Sequence, residues 1–186
     1  MGRLTGIVLA GGKSTRMGTD KAFIKLADRQ LYRIAAEKLR IFCDEVHISV
    51  NKKQIEVQSF EYPVVTDIYE DQGPLGGLIS AYNQLNPPFL LMATDMIHVE
   101  EKHIGTLTEA FISEQKSVMY FNLSTGYFEP MLSVWHSDTL KNLRIYFEKG
   151  GRSFQQFLNN SGVIHTIACK DCRFLHNANT PDSLKQ

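Results

Sequence analysis

The stretch LTGIVLAGGKSTRMGTDK, residues 4–21, joins an apolar run to a segment with two adjacent glycines and several cations. Residues 4–10 are apolar and β-branched and end at Gly11 and Gly12, which is typical of a buried β-strand. Gly-Gly-Lys-Ser-Thr looks like an ATPase phosphate loop, but such a loop needs a glycine five places before the Gly-Lys pair, where Ile7 stands. The dinucleotide fingerprint G-x-G-x-x-G is absent as well, because the two glycines are adjacent.

The segment after the strand instead suits another kind of glycine-rich phosphate loop. Gly11 and Gly12 lack Cβ atoms, so the chain can turn sharply and its N–H groups can approach a phosphate closely. Lys13, Arg16 and Lys21 then place three positive charges within nine residues. A guanidinium holds phosphate oxygens with its planar fork, and an ammonium acts as a mobile point charge. An ordinary solvated turn is the alternative, but cations directly after a buried strand favour polyanion binding.

Strand and helix patterns alternate along the rest of the chain. Further strands are predicted over residues 45–50, 63–66, 89–94, 117–121, 128–135 and 163–168. Helices are predicted over residues 31–42, 75–85, 103–114, 137–151, 152–160 and 179–186. This alternation predicts an α/β fold, a three-layer sandwich in which helices cover both faces of a mostly parallel, twisted sheet. The length and the lack of a linker predict one domain over residues 1–186.

Ligands of such open sheets bind at the carboxyl ends of the strands. The residues directly after the first four main strands are Gly11, Asn51, Asp67 and Asp95, so we expect them to meet at one edge. Asp95 follows the very apolar run FLLMA, where a carboxylate is either a magnesium ligand or a cap for the next segment. Asp67 has the same two interpretations, and a phosphate loop nearby favours the metal.

Composition limits the partners and the compartment. The formal net charge is zero, which argues against a protein that coats nucleic acid. No apolar run approaches the roughly 20 residues that span a bilayer, and the N-terminus has no signal pattern. The three cysteines then predict a reducing, cytoplasmic environment. Cys169 and Cys172 form a C-x-x-C without a second pair for zinc, and we interpret them as two incidental thiols.

The segment LAGGKSTRMGTDKAFIKL resembles the L-A-G-G-x-S-x-R-M-G-x-D-K-x-x-L signature of the molybdenum cofactor guanylyltransferases. These are small nucleotidyltransferases of the Rossmann-like, nucleotide-diphospho-sugar transferase type. The resemblance continues in order at ISVN, VVTDIYEDQGPLGGLISA, LLMATDM, YFEPMLSVW and NANTPDSL, and it covers nearly the whole chain. The opening signature marks the wider nucleotidyltransferase group, while GPLGGL and the NANTP ending narrow the resemblance to the molybdopterin branch.

The resemblance implies a role for each matching position. Arg16, Lys21 and Asp95 would be catalytic, and Asp95 would hold Mg²⁺. Arg16 would also face the pterin substrate together with Asn177 and Asn179. Asn51 and Asp67 would lie along the base and the ribose. The full implied nucleotide-binding set is Leu9, Ala10, Gly11, Gly12, Lys21, Asn51, Asp67, Gly73, Pro74, Leu75 and Asp95.

The implied reaction transfers GMP from GTP to the terminal phosphate of molybdopterin cofactor and releases pyrophosphate. The partners would be these two substrates, with transient contacts to cofactor-synthesis and acceptor proteins, and no nucleic acid or membrane. Three alternatives stay open: a cytidylyltransferase acting on molybdopterin, a sugar-phosphate nucleotidylyltransferase, and a non-catalytic GTP-binding module. Composition does not separate them, since base choice depends on a few contacts.

The chain departs from the family pattern just beyond Asp95. Family members usually have cysteine or another small residue before the metal aspartate and proline two residues after it. Here the segment reads ATDMIHVE, with Ile97 and His98 where a proline-led turn is expected. We expect His98 to be a solvent-facing loop residue, the alternative being a contact to substrate.

Overall fold

The computed structural model describes residues 4–11, 23–57, 59–69 and 71–176 of the chain. The strands are β1 (Thr5–Leu9), β2 (Lys25–Leu26), β3 (Arg29–Gln30), β4 (Glu45–Val50), β5 (Val64–Thr66), β6 (Phe89–Ala93), β7 (Ser117–Asn122), β8 (Tyr127–Trp135) and β9 (Ile164–Cys169). The helices are α1 (Leu31–Arg40), α2 (Lys52–Val57), α3 (Gly73–Gln84), α4 (Glu101–Glu114), α5 (Ser137–Glu148) and α6 (Phe154–Ser161), followed by a 3-10 helix at Arg173–Leu175.

The main sheet has seven strands in the order β5-β4-β1-β6-β8-β7-β9. The pairs β5–β4, β4–β1 and β1–β6 are parallel, and so is β7–β9. Strand β8 lies antiparallel between β6 and β7. The predicted mostly parallel sheet is therefore confirmed, and the inserted antiparallel strand is the feature that the alternating pattern did not predict.

Helices cover both faces of this sheet, as the alternation of strand side chains requires. Ile7 and Leu9 belong to one buried apolar cluster, whereas Val8 between them belongs to the other. The cluster that includes Val8 packs against α1 and α4, and the opposite cluster packs against α3, α5 and α6. Successive residues of a strand point to opposite faces, so a strand buried on both sides reads as a continuous apolar run. The three-layer α/β sandwich is confirmed.

Three local elements differ from the sequence-based expectation. Helix α2 was not predicted, and neither was the small hairpin of β2 and β3, whose turn residues Ala27 and Asp28 both have positive φ. Both elements are too short to produce a clear hydrophobic period. The predicted terminal helix over residues 179–186 lies outside the described residues.

The interpretation of Cys169 and Cys172 as independent thiols was wrong, because the structure joins them in a disulfide. Both residues are buried, at the end of β9 and just before the 3-10 helix, with their Cα atoms 5.7 Å apart. Such a separation is normal for a disulfide. No helix in the described part of the chain is long and apolar enough to cross a membrane.

Candidate active site

The carboxyl ends of β5, β4, β1 and β6 lie side by side at one edge of the sheet. Leu9 at the end of β1 is in register with Ser49 of β4 on one side and with Ala93 of β6 on the other. The backbone N–H of Asp67 donates to the carbonyl of Val50 over 2.7 Å, which extends the β4–β5 ladder by one residue. The residues that follow these strands therefore share an edge: Ala10 and Gly11, Asn51, Asp67, and Asp95.

The backbone at Ala10 and Gly11 is held by neighbouring groups. Both N–H groups donate to the carbonyl of Ser49, each over 2.9 Å. The carbonyl of Ala10 accepts a 2.9 Å hydrogen bond from the side-chain amide of Gln54. Both the N–H and the carbonyl of Ala10 are therefore hydrogen-bonded, which fixes the backbone at the start of the predicted phosphate loop.

Asn51 caps helix α2. Its Oδ1 accepts from the backbone N–H of Gln54 over 3.0 Å, and the Gln54 Oε1 accepts from the backbone N–H of Asn51 over 2.8 Å. This reciprocal pair is a capping box, which satisfies two backbone donors at a helix N-terminus. The cap explains why α2 begins directly after β4 and keeps Asn51 at the sheet edge.

Asp67 is oriented by helix α3 and by its own loop. Its Oδ1 accepts from the Ser80 hydroxyl and from the backbone N–H of Tyr69, each over 2.9 Å. The Ser80 Oγ in turn accepts from the backbone N–H of Ile68 over 3.0 Å. Ser80 is fully buried, so this network fixes the direction in which the Asp67 carboxylate leaves β5.

The GPLGG segment forms the first turns of α3, close against the strand ends. Gly73 has a φ of +63°, a left-handed conformation that favours glycine. Gly77 faces the sheet so closely that a Cβ there would lie 3.1 Å from the Ser49 hydroxyl and 3.2 Å from a Leu9 methyl. Pro74 occupies the first turn, where its missing N–H is not needed. The segment, including Leu75, therefore brings the N-terminus of α3 to the same edge.

Asp95 follows β6 in a double turn that forms without the proline of the family pattern. The N–H of Met96 donates to the carbonyl of Ala93 over 3.4 Å, and the N–H of Val99 donates to that of Met96 over 3.3 Å. The carbonyl of Ile97 accepts a 2.8 Å hydrogen bond from the ammonium of Lys38 on α1. Burial, and then the charge of Arg29, lower the pKa of Lys38.

His98 is exposed at the tip of the double turn, as expected from the sequence. Among the described residues, no group of three or more His, Cys, Asp or Glu side chains is placed to hold a metal ion. Mg²⁺ is commonly bound by one or two carboxylates together with substrate phosphates and water, rather than by an all-protein cage. A single carboxylate at Asp95 therefore fits a magnesium ion that arrives with a nucleotide.

The 3-10 helix at Arg173–Leu175 packs against the start of α4 through an aromatic contact. The ring of Phe174, in the 3-10 helix, stacks on His103 at 3.8 Å between centroids and meets Tyr120 edge-on at 5.2 Å. His103 lies in the first turn of α4, the helix that follows the Asp95 turn. Five predicted site residues lie outside the described residues: Gly12, Arg16, Lys21, Asn177 and Asn179.

Arg152 is a candidate site residue that the sequence analysis missed. Its Nε donates to Gln72 Oε1, its Nη1 donates to the carbonyls of Phe147 and Gly151, and its guanidinium lies 4.3 Å from the centroid of the Phe147 ring. Gln72 is the N-cap of α3, so an ordered cation stands beside the GPLGG segment. The sequence signal was an arginine directly after a glycine pair. The glycine pair was interpreted as the end of one helix, and Arg152 only as the first residue of the next.

Gln54 was also missed. Its signal was the spacing Asn-x-x-Gln directly after a strand, which is the pattern of a capping box. That pattern predicts the helix start and the reciprocal hydrogen bonds with Asn51. It does not predict the contact with Ala10, which lies 44 residues away.

One edge of the mostly parallel sheet carries a glycine-rich backbone segment, two aspartates and a closely packed helix N-terminus. This arrangement defines a nucleotide-binding α/β protein. The chain belongs to the MobA-like NTP transferase family, whose domain model matches residues 6–163. Family membership confirms the resemblance to the nucleotidyltransferases that the opening signature indicated.

Relatives align over nearly the full length of the chain. A protein of Trichormus variabilis named probable molybdenum cofactor guanylyltransferase is 30% identical over 189 residues, covering 99% of this chain and 90% of its own. A molybdenum cofactor guanylyltransferase of Serratia proteamaculans is 28% identical over 180 residues, covering 95% and 90%.

Two solved structures share the fold. Molybdopterin-guanine dinucleotide biosynthesis protein A from Archaeoglobus fulgidus has a TM-score of 0.79 and 22% identity, covering 98% of this chain and 95% of its own. Rv0371c from Mycobacterium tuberculosis, solved in complex with manganese, has a TM-score of 0.72 and 16% identity, covering 99% and 97%. At these identities the likeness supports the architecture.

Proposed function

We propose that this protein transfers GMP from GTP to the terminal phosphate of molybdopterin cofactor, forming the guanine dinucleotide cofactor and releasing pyrophosphate. The observation that carries the proposal is the convergence of Ala10–Gly11, Asn51, Asp67 and Asp95 at one edge of four neighbouring parallel strands. The names of the full-length relatives support guanine as the base and molybdenum cofactor as the acceptor.

The chemistry is a substitution at the α-phosphorus of GTP. An oxygen of the acceptor's terminal phosphate forms a new bond to that phosphorus, and the bond from the phosphorus to the oxygen bridging to the β-phosphate breaks. The electron pair of the broken bond leaves with pyrophosphate. The attacking phosphate oxygen is already ionised at neutral pH, so the protein needs no nucleophilic side chain.

The protein would contribute alignment and charge stabilisation. Ala10 and Gly11 would place backbone groups against the nucleotide, while Asn51 and Asp67 would lie along the base and the ribose. Gly73, Pro74 and Leu75 would line the same pocket. On this assignment the oriented carboxylate of Asp67 is ready before the nucleotide binds, because Ser80 and the loop already hold it.

Asp95 would hold Mg²⁺, which would neutralise charge on the phosphates of GTP. Lys21 and Arg16 would stabilise the charge that develops on pyrophosphate, and Arg16 would share the acceptor with Asn177 and Asn179. We add Arg152 to the nucleotide side of the site, because its guanidinium contacts the N-cap residue of α3, next to the residues proposed to line the nucleotide pocket. The reaction would take place in the cytoplasm. Residues 1–186 would form one domain.

The decisive experiment measures pyrophosphate release from GTP, Mg²⁺ and molybdopterin cofactor, with each component omitted in turn. We expect release only when all three are present, and we expect Asp95→Asn to lower kcat by about a hundredfold to a thousandfold, the usual effect of losing one charge-stabilising group. Asp138→Asn is the matched control, because Asp138 is an exposed aspartate in the first turn of α5. Helix α5 follows the antiparallel strand β8 and therefore begins at the edge of the sheet opposite the candidate site. Full turnover by Asp95→Asn contradicts the assignment.

Base choice is tested by binding GTP, CTP, ATP and UTP in the presence of Mg²⁺. A preference for GTP supports the guanylyl reaction, and a preference for CTP replaces it with the cytidylyl alternative. GTP binding without pyrophosphate release in the presence of the acceptor would instead identify a non-catalytic GTP-binding module.

A further inference from the structure

Gln54 is a buried polar side chain at the centre of the candidate site, with 3% of its surface exposed. We infer that Gln54 is a positioning residue that shapes the base pocket by tying the backbone after β1 to the backbone after β4. The inference rests on the proposed function, since it takes this pocket as the binding site of the guanine nucleotide. Gln54 acts through Ala10 and Asn51 and is not itself assigned a contact with GTP.

The two atoms of the Gln54 amide are used in opposite senses. Oε1 accepts from the backbone N–H of Asn51 over 2.8 Å, whereas Nε2 donates to the backbone carbonyl of Ala10 over 2.9 Å. The first bond belongs to strand β4 and its helix, and the second belongs to the glycine-rich segment after β1. One planar amide therefore sets the spacing between two backbone segments that flank the proposed base.

The bond to Ala10 goes beyond what a helix cap requires. A capping box is complete once the side chains of its first and fourth residues each accept one backbone N–H, which here uses Asn51 Oδ1 and Gln54 Oε1. The Nε2 donor adds a contact across 44 residues of sequence. Its acceptor, the Ala10 carbonyl, belongs to the residue whose N–H is already bound to Ser49. The peptide groups on both sides of Ala10 are consequently fixed.

The chemistry of the amide makes the arrangement specific for glutamine. A glutamate at this position keeps an acceptor for the Asn51 N–H but places a second acceptor against the Ala10 carbonyl. A leucine of similar size offers neither group and leaves a buried carbonyl with one fewer donor. Because unmet buried polar groups are unfavourable, we expect the backbone at Ala10 to move in both variants.

The test compares Gln54→Glu and Gln54→Leu with the parent protein. We expect KM for GTP and the Kd for GTP–Mg²⁺ to rise about tenfold, as expected from one lost hydrogen bond to a buried group. We expect kcat to change less than about twofold, because the groups proposed to act on the α-phosphate are elsewhere. We also expect the ratio of ATP to GTP affinity to rise, because a displaced backbone discriminates bases less well.

Lys53→Gly is the matched control for a purely structural role. Lys53 is an exposed neighbour in the first turn of α2, and glycine there weakens the same helix by raising the backbone entropy lost on folding, without touching the amide contacts. The inference requires that Lys53→Gly lower the melting temperature while leaving KM and base preference at parent values. It is overturned if the Gln54 variants behave like Lys53→Gly, or if their loss falls in kcat alone.

The same data separate this inference from the proposed function. A parent protein that binds no GTP overturns both. A parent that binds GTP and releases pyrophosphate, with Gln54 variants that match it in KM and base preference, overturns only the role of Gln54. Gln54→Glu keeps the size and one acceptor of the side chain, so it provides the comparison if Gln54→Leu does not fold.

Discussion

The hydroxyl of Ser80 donates to Asp67 Oδ1 over 2.9 Å, and this bond joins the middle of α3 to the end of β5. The same oxygen of Ser80 accepts from the N–H of Ile68, so one fully buried hydroxyl serves as donor and acceptor. Asp67 is thereby held in one orientation at the sheet edge. In the proposed site this orientation belongs to the residue that lies along the ribose.

We expect Ser80→Ala to lower the free energy of unfolding by about 1–3 kcal/mol, because it leaves the partly buried N–H of Ile68 and a carboxylate oxygen of Asp67 with fewer partners. It should also raise KM for GTP, since Asp67 loses a contact that orients it. Ser117→Ala is the control, because Ser117 is an equally buried serine that accepts from His136 N–H at the opposite edge of the sheet. Urea unfolding and steady-state kinetics measure both effects. An equal change in KM for the two variants would contradict the role given to Ser80.

Much of this edge was predictable from the sequence because strands buried on both faces are visible as apolar runs. The runs that end at Leu9, Val50, Thr66 and Ala93 place their following residues together once the sheet is known to be parallel. The roles of these residues were implied by a resemblance, and they remain proposals. Family membership and the α/β sandwich are the parts of the prediction that are confirmed.

The contacts that hold the site were not predictable, because they join residues distant in sequence. Gln54 meets Ala10 across 44 residues, and Arg152 meets Gln72 across 80. Which polar side chains come into contact depends on how the helices pack on the sheet. The hydrophobic periodicity of each segment carries no information about that packing. The antiparallel insertion of β8 is equally non-local, since an isolated apolar strand has the same pattern in either direction.

The adjacent glycines Gly76 and Gly77 in α3 make different contacts. We therefore expect substitution by alanine to change stability differently at the two positions. A Cβ at Gly76 would lie 2.7 Å from the Gln72 Cβ and 3.2 Å from the Tyr69 carbonyl, so the loop itself must move. A Cβ at Gly77 meets a hydroxyl and a methyl at 3.1 and 3.2 Å, and these groups can shift slightly. We expect Gly76→Ala to destabilise the fold by about 1–3 kcal/mol, as overpacking usually does.

For Gly77→Ala we expect a smaller loss, because its nearest contact is 3.1 Å rather than 2.7 Å. The gain of up to about 1 kcal/mol from placing alanine in a helix applies to both variants and offsets more of the milder crowding at Gly77. Urea unfolding of both variants measures the difference directly. A larger loss for Gly77→Ala than for Gly76→Ala would show that the loop yields more readily than the strand ends.

We expect the free energy of unfolding to fall in mild acid because His103 becomes protonated. Its Nδ1 accepts from the N–H of Glu100 over 3.0 Å and must be unprotonated to do so. Burial, and then the charge of Lys102, lower the pKa of His103 below its ordinary value of 6.5. Because the folded pKa is the lower one, the stabilising contribution is complete above pH 6.5 and is lost as the pH falls from there through the folded value.

We expect His103→Gln to remove this pH dependence, since glutamine is a usual partner at this position of a capping box and does not titrate. The parent should lose about 1 kcal/mol more than the variant on acidification, the typical contribution of a helix cap. Urea unfolding between pH 8 and pH 5 measures both profiles. Parallel profiles for the parent and the variant would exclude His103 as the titrating group.

Lys38 stabilises the turn beyond Asp95 by donating a hydrogen bond to it. The double turn there lacks the proline of the family pattern, and the Lys38 ammonium donates to its Ile97 carbonyl over 2.8 Å. Lys38 is half-buried on α1, whereas Arg40 at the end of the same helix is exposed. The two residues therefore offer a cation that contacts the turn and a nearby cation that faces solvent.

We expect Lys38→Met to loosen the turn, because a hydrogen bond from a charged donor contributes about 1.5–3 kcal/mol and methionine keeps only the apolar stem. In the proposed mechanism Asp95 would then hold Mg²⁺ less firmly, so the Mg²⁺ concentration for half-maximal pyrophosphate release should rise severalfold. Arg40→Met removes one positive charge from the same helix and should leave that concentration unchanged. Since both variants change the net charge equally, a shared shift would indicate a general electrostatic effect and would remove Lys38 as the support of the turn.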